Sequence, residues 1–182
     1  MPGHRAIAYD ARMYRAPPAS SPFVLTAVDG TVTAFARTSG QIAWKFQLPS
    51  GLANHRYVMR IVADEHRVVI AAARAYDDGS FFSLPDTTGE LFCLDYASGR
   101  VVWHQRLPQV ATVRWISATL LVDGAEIFLV HASQIAAFAL ETGQFLWQQA
   151  LVEAHTTPNV HPRPLPVALA VPGNAVQADA TT

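Results

Sequence analysis

The stretch ETGQFLWQQAL, residues 141–151, places a glycine, a tryptophan and a leucine at two successive steps of four. The same spacing occurs upstream in SGQIAWKFQL, residues 39–48, and in SGRVVWHQRL, residues 98–107. A step of four fits one face of an α-helix, but its recurrence elsewhere in the chain indicates an internal repeat. We therefore expect three copies of one structural unit.

Setting the tryptophans in register extends the repeat to segments of equal length without gaps. They are GTVTAFARTSGQIAWKFQL from Gly30, GELFCLDYASGRVVWHQRL from Gly89 and SQIAAFALETGQFLWQQAL from Ser133. Each segment has two runs rich in β-branched and aromatic residues, separated by a turn that ends in Ser-Gly or Thr-Gly. Such runs favour strands over helix, and a glycine can take the positive φ that a tight turn needs. Each copy is therefore predicted to be a β-hairpin.

Further apolar runs precede every hairpin and enlarge the unit. They are FVLTAV from Phe23, RVVIAAA from Arg67 and EIFLVHA from Glu126, and the last two are preceded by yet another run. The full unit is thus predicted to have four antiparallel strands. Trp103 and Trp147 lie 44 residues apart, and a propeller blade takes roughly 40 to 50 residues. Trp44 and Trp103 lie 59 apart, and the surplus is AYDDGSFFSLPDTTG, between the second and third strands of the middle unit.

This unit resembles the quinoprotein-type, or PQQ-like, β-propeller repeat, whose blades carry an alanine-aromatic-aspartate, Thr-Gly, Trp signature. Asp95 stands at the aspartate position of the second copy, where the other copies have Ala36 and Ala139. The resemblance covers about residues 22–152. It implies an all-β fold: a propeller-like array of about three four-stranded antiparallel blades, partial or closed by self-association. It also implies that the tryptophans pack flat between blades and that the Gly turns hold the outer strands, at Gly40, Trp44, Gly99, Trp103, Gly143 and Trp147.

The chain is predicted to have a central repeat region with an extension at each side. The regions are residues 1–21, able to add one strand; residues 22–152, with blade motifs 22–50, 56–108 and 112–152; and residues 153–182, proline-rich with a disordered tail. The run LPVALAV, residues 165–171, is a second candidate for an added strand. Because propellers typically need four to eight blades to close, three blades leave an apolar face at each end. We therefore expect self-association.

Composition and charge exclude several classes of function. Hydrophobic residues make up 51% and charged residues 15% of the 182 residues, which argues against global disorder. A formal net charge of -1 gives no basic surface for nucleic acid or anionic lipid. The opening residues, MPGHRAIAYDARMYRAPP, lack the apolar core of a secretory signal, and no apolar run approaches the roughly 20 residues of a membrane span. A cytoplasmic location without membrane insertion is predicted.

Cofactor and metal sites find little support in the sequence. Dehydrogenases of the resembled family hold pyrroloquinoline quinone and calcium at the centre of a closed ring, commonly with a vicinal disulfide. Cys93 is the only cysteine, which rules out an internal disulfide, and it occupies a small-residue position shared with Ala34 and Ala137. Neither a calcium loop nor a pair of histidines with metal-ligand spacing is present. We predict no metal, no cofactor and no catalytic residues.

The surplus segment of the middle unit is the best candidate for a binding site. In a propeller this loop lies on the face that usually holds partners, and aromatic side chains beside carboxylates suit contact with a protein or ligand. The candidate residues are Tyr76, Asp77, Asp78, Phe81 and Phe82. An equally weighted alternative is that the loop only covers an open blade edge or the mouth of the ring.

The sequence favours a non-catalytic scaffold that binds a protein or ligand, similar to the scaffolding propellers of this superfamily, including the outer-membrane assembly lipoprotein. The alternative is a degenerate or fragmentary PQQ-dependent quinoprotein dehydrogenase, completed by self-association, with quinone and calcium. A truncated gene product without a role of its own is a third interpretation.

Overall fold

The computed structural model describes residues 21–49, 54–76, 86–107, 118–131, 134–151, 168–171 and 174–177. These residues form strands and the turns between them, and none of them is helical. The strands are β1 Phe23–Val28, β2 Thr31–Ala36, β3 Ile42–Gln47, β4 Asn54–Ala63, β5 Arg67–Tyr76, β6 Asp86–Asp95, β7 Val101–Arg106, β8 Ala118–Asp123, β9 Glu126–His131, β10 Gln134–Ala139, β11 Phe145–Ala150, β12 Ala168–Val171 and β13 Asn174–Gln177.

Neighbouring strands in each sheet are also neighbours in sequence, and every pairing is antiparallel. The first sheet has the order β1-β2-β3, the second β4-β5-β6-β7 and the third β8-β9-β10-β11, while β12 and β13 form a hairpin. This up-and-down order is the one expected of propeller blades. The predicted all-β, propeller-like fold is therefore confirmed: the second and third sheets have the four antiparallel strands expected of each blade, and the described part of the first sheet has three.

The core lies between successive sheets, and the second sheet contributes residues to both of its halves. Its strand β5 reads RVVIAAA, and both of its faces are buried. Val68 and Ile70 pack toward Val32 and Trp44 of the first sheet. The alternate residues of β5, Val69 and Ala71 among them, pack toward the third sheet. A strand covered on both faces reads as a continuous apolar run, because neither side faces water.

The inner strands bring the sheets together in chain order. β1 contacts β4, β4 contacts β8, and β8 contacts both strands of the β12–β13 hairpin. The hairpin therefore lies beside the inner strand of the third sheet. Across the described residues, three sheets and one hairpin follow one another in chain order.

Several details differ from the sequence-based expectation. The surplus of the middle unit is partly strand, because β5 and β6 each have 10 residues where β9 and β10 have 6. The predicted strand at 165–171 appears as β12, and β13 lies within the last ten residues, for which the sequence predicts disorder. Cross-strand pairing with Leu169 and Ala170 orders Val176 and Ala175 there. The predicted strand within residues 5–14 lies outside the described residues.

Candidate functional site

The turns between the two outer strands of each sheet have one geometry. Gly40, Gly99 and Gly143 have φ of 69°, 68° and 69°. Each glycine N–H donates to the carbonyl four residues earlier, at 2.8 Å in all three turns. Each sheet also has a register shift just before this turn. Because a positive φ is strained for residues with a Cβ, glycine is the residue that these turns require.

The tryptophan of one sheet packs on the glycine turn of the next sheet. The six-membered ring of Trp44 lies directly against Gly99. A Cβ atom added to this glycine would be 2.5 Å from Cε3 of Trp44. The Trp44 indole N–H donates to the carbonyl of Tyr96 at 3.0 Å. Trp44 is only 8% exposed. This contact joins the first sheet to the second, and it uses the absence of a side chain on Gly99.

The second and third sheets are joined by the same contact. A Cβ on Gly143 would lie 2.5 Å from Cε3 of Trp103. The Trp103 indole N–H donates to the carbonyl of Leu140 at 2.8 Å. In both contacts the accepting residue stands three positions before the glycine. The two pairs therefore repeat one another in ring position, glycine and hydrogen bond, and we call this arrangement the Trp-turn contact.

The two ends of the series carry the separate halves of this contact. Trp147, on the outer strand of the third sheet, is 43% exposed. Gly40, in the turn of the first sheet, has no described atom within 4 Å of its Cβ position. The expectation that all three tryptophans lie between blades thus fits the surroundings of Trp44 and Trp103. Trp147 has no covering sheet among the described residues.

Two further sets of hydrogen bonds join neighbouring sheets. The Tyr96 hydroxyl accepts from the N–H of Phe23 and donates to its carbonyl, both at 3.1 Å, and the two rings lie 5.5 Å apart. Arg67 donates to Glu141 at 3.1 Å, and this hydrogen bond raises the pKa of Arg67. Tyr96 is 4% exposed, whereas the Glu141 side chain is 68% exposed. The hydrogen bonds of Tyr96 are therefore better shielded from water than the ion pair of Arg67 with Glu141.

The described residues also contain a buried carboxylate. Glu90 on β6 is fully buried, with its Oε1 atom 3.6 Å from Nε2 of His104 and 4.0 Å from Nε of Arg106. The His104 ring stacks on Phe92, with centroids 4.2 Å apart. The side chain of His104 and the guanidinium of Arg106 hold the Glu90 carboxylate in place, because an unpaired buried charge is strongly unfavourable. Sequence reasoning missed Glu90, since its spacing relative to His104 shows only once strand pairing is known.

Two ionisable groups of the second sheet have shifted pKa values. Burial raises the pKa of the Cys93 thiol to about 11, so the thiol is neutral at physiological pH. Hydrogen bonds from the Ser98 hydroxyl and N–H to Asp95 lower the pKa of that carboxyl. Asp95 thus fastens the turn that receives Trp44. Neither group lies in a cluster of the kind that catalysis uses.

The predicted binding residues lie at the margin of the described structure. Tyr76 is the last residue of β5, and the structure describes its backbone alone; Asp77, Asp78, Phe81 and Phe82 lie outside the described residues. Their role stays a prediction. Within the described ranges, no three histidine, cysteine or acidic residues come together as metal ligands would.

Exposed apolar side chains concentrate on the outermost strands. Strands β3, β7 and β11 are the outer edges of the three sheets. They and the residue after β11 carry most of the large apolar side chains that are at least 38% exposed: Ile42, Val101, Val102, Phe145, Leu146, Trp147 and Leu151. The inner strands β5 and β8 are largely buried instead. We call these residues the apolar outer strands.

The family model described as outer membrane protein assembly factor BamB matches residues 28–179. The chain belongs to this family of PQQ-like β-propellers. A crystal structure of BamB from Moraxella catarrhalis is similar in fold, with a TM-score of 0.50 and 20% identity over 75% of this chain. The matched region is 36% of that BamB chain, so the present chain spans little more than a third of its solved relative.

No curated protein matches the sequence significantly. A search of the described residues for a helix long and apolar enough to cross a membrane found none. The cytoplasmic location stays a prediction.

Proposed function

We propose that this chain is a non-catalytic β-propeller scaffold that binds a protein partner and assembles with further copies of itself. One observation carries the proposal: most of the large exposed apolar side chains of the described residues lie on the outer edge strands of well-packed sheets. Aromatic and aliphatic side chains at an accessible edge are suited to protein contact, because their burial is favourable and the edge offers unpaired backbone groups. The family description, outer membrane protein assembly factor, is consistent with a scaffold.

A photo-reactive amino acid at Val102 tests partner binding. Val102 lies on the outer strand of the second sheet and is 45% exposed. We expect irradiation in an extract of the source organism to cross-link this position to one protein. That protein is then identified, purified and tested for binding to the wild-type chain. Binding should be lost in Val102→Glu. The photo-reactive group at Asp123, the exposed last residue of β8, is the control and should give no such product.

Reconstitution with quinone tests the alternative of a dehydrogenase. Mixing the protein with pyrroloquinoline quinone and calcium should produce neither a bound-quinone absorbance nor dye-linked oxidation of alcohols or glucose. If turnover appears, and depends on both quinone and calcium, the scaffold proposal is wrong and the chain is a quinoprotein enzyme.

A further inference from the structure

The exposed Trp147 and the uncovered turn at Gly40 are complementary halves of the Trp-turn contact. We propose that Trp147 of one copy packs on the Gly40 turn of a second copy, joining the third sheet of the first molecule to the first sheet of the second. In this contact the Trp147 indole N–H donates to the carbonyl of Arg37, three residues before Gly40. The inference rests on the self-association proposed above and names the residues that carry it.

The turn of the first sheet already has the receiving geometry. The φ of Gly40 is 69°, against 68° and 69° at the two glycines that carry a tryptophan. Its N–H donates to the carbonyl of Ala36, as Gly99 donates to Asp95 and Gly143 to Ala139. The occupied and uncovered turns therefore have the same backbone conformation. Docking a tryptophan at Gly40 needs no rearrangement, which keeps the entropic cost of association low.

The face of the first sheet around this turn is exposed where its counterpart is buried. The strand registers align Val24 and Val28 with Val68 and Ala72 of the second sheet. Val68 and Ala72 are fully buried, whereas Val24 is 45% and Val28 72% exposed. A preceding sheet covers the second sheet at these positions. The first sheet has none among the described residues, and a third sheet from another copy would supply it.

The face of the third sheet around Trp147 is buried as far as β10 and exposed on the outermost strand. The β12–β13 hairpin contacts β8, and on this face Leu121 of β8 is 2% and Ala137 of β10 is 0% exposed. Trp147, on the outermost strand, stays 43% exposed. An incoming sheet would therefore meet the third sheet along its outermost strand. The first sheet suits this place, because its described part has three strands and lacks the inner one.

A second copy is the occupant that these observations favour. Both halves of the contact belong to one chain, and the chain already makes the contact twice internally. Such a head-to-tail interface uses two different surfaces, so it closes into a ring when the rotation per copy permits. Two copies bring six sheets and two hairpins, within the four to eight blades of closed propellers. Each copy would give one tryptophan and receive one.

Solution mass across a dilution series tests the contact. We expect wild-type protein to form a species of twice the 19.8 kDa chain mass. Trp147→Ala and Gly40→Ala should each weaken association by at least about thirtyfold, the effect of losing a central aromatic anchor. Matched controls are Gln148→Ala, on the opposite face of the same strand, and Gly124→Ala, whose glycine has φ 55° and no described atom within 4 Å of its Cβ position. Both controls should associate like wild type.

Mixing the two variants distinguishes a head-to-tail contact from a symmetric one. A copy with Trp147→Ala keeps its Gly40 turn, and a copy with Gly40→Ala keeps its tryptophan, so one intact contact forms between them. The mixture should associate more tightly than either variant alone. If Trp147 instead packed on Trp147 of the partner, mixing would restore nothing. Val28→Lys is a second variant of the receiving face that tests the same point without touching the turn.

Two different results would contradict this proposal, and they have different consequences for self-association. A wild-type protein that stays single at all concentrations, with Trp147 shielded by another part of its own chain, would overturn both this contact and self-association. A dimer whose mass and affinity are unchanged in Trp147→Ala, Gly40→Ala and Val28→Lys would overturn the contact and leave self-association standing. The photo-cross-linking at Val102 does not depend on either result.

Discussion

At the scale of single residues, the tryptophans of the repeat occupy two different environments. Trp44 is 8% exposed and Trp147 43%, although both stand four residues after a turn glycine. The difference comes from the neighbour that each meets, and not from its own strand. An equivalent position in a repeat is therefore buried only when the next repeat is present to cover it.

Replacing Trp103 by alanine should lower the free energy of unfolding by about 3 to 5 kcal/mol. The substitution removes an indole packed on Gly143 together with its hydrogen bond to Leu140. Trp147→Ala, measured in dilute solution where association is weak, should cost much less. Denaturant unfolding of the two variants checks this, and equal losses would contradict the assignment of Trp103 to a sheet interface.

Gly99→Ala and Gly40→Ala form a matched pair, because their φ angles are 68° and 69°. Both variants carry the strain of a Cβ at positive φ, roughly 1 to 2 kcal/mol. At Gly99 the new methyl group also collides with Trp44, whereas at Gly40 it meets no described atom. We expect Gly99→Ala to be less stable by roughly a further 1 to 3 kcal/mol. Thermal or denaturant unfolding in dilute solution measures the difference.

Cys93 should make stability depend on alkaline pH. The pKa of its thiol is about 11 in the folded protein against 9.0 for an unperturbed thiol. Between these values the unfolded chain releases a proton that the folded chain retains, so stability falls as pH rises from 9 to 11, by about 2 to 3 kcal/mol. Cys93→Ala, which places there the residue found at Ala34 and Ala137, should remove this contribution. Unfolding curves of both proteins from pH 8 to 11 provide the test; parallel pH profiles would show that the thiol does not contribute.

At the scale of strands and turns, local patterns predicted the elements that short-range physics decides. The run FVLTAV is β1 as expected, and the predicted turns at Gly40, Gly99 and Gly143 share one conformation. These features depend on residues close in sequence, such as a glycine free to take positive φ. Strand lengths were less predictable: β5 continues to Tyr76 because it pairs with β6 across ten residues.

Only part of the candidate surface could be predicted from the sequence. Trp147 was recognised as a repeat position, but its exposure depends on which sheet follows the third, which no local pattern encodes. The contact between the buried Glu90 and His104 depends on the register of β6 against β7. Tyr96 likewise acts through Phe23, 73 residues earlier. Partners distant in sequence are set by the packing of sheets, so a single sequence does not reveal them.

The two interactions between sheets, Tyr96 with Phe23 and Arg67 with Glu141, should differ in their contribution to stability. Tyr96→Phe removes a buried hydroxyl that bonds to both backbone groups of Phe23, and leaving that N–H unsatisfied should cost about 1 to 3 kcal/mol. Glu141→Gln weakens an exposed ion pair with Arg67 and should cost less than about 1 kcal/mol. Unfolding at low and high salt separates them, because salt should reduce only the second effect. A larger loss from Glu141→Gln would contradict this ranking.

At the scale of the whole molecule, the three described sheets follow one another in chain order and are joined by one repeated contact. The chain belongs to the PQQ-like propeller family and spans 36% of the BamB chain that it resembles in fold. Within the described residues, this series has the exposed Trp147 at one end and the turn of Gly40 at the other. The proposed head-to-tail assembly follows from this polarity, and the proposed partner surface follows from the apolar outer strands.

The order of the blades is the central claim, and the indole N–H signals of Trp44 and Trp103 in two-dimensional NMR spectra test it most directly. The signals are assigned with single Trp→Phe variants and then compared in Gly99→Ala and Gly143→Ala. We predict that Gly99→Ala shifts the Trp44 signal and leaves that of Trp103 in place, and that Gly143→Ala does the reverse. If each glycine variant shifted the wrong tryptophan, or neither variant shifted either one, the sheets would not be stacked in the order described.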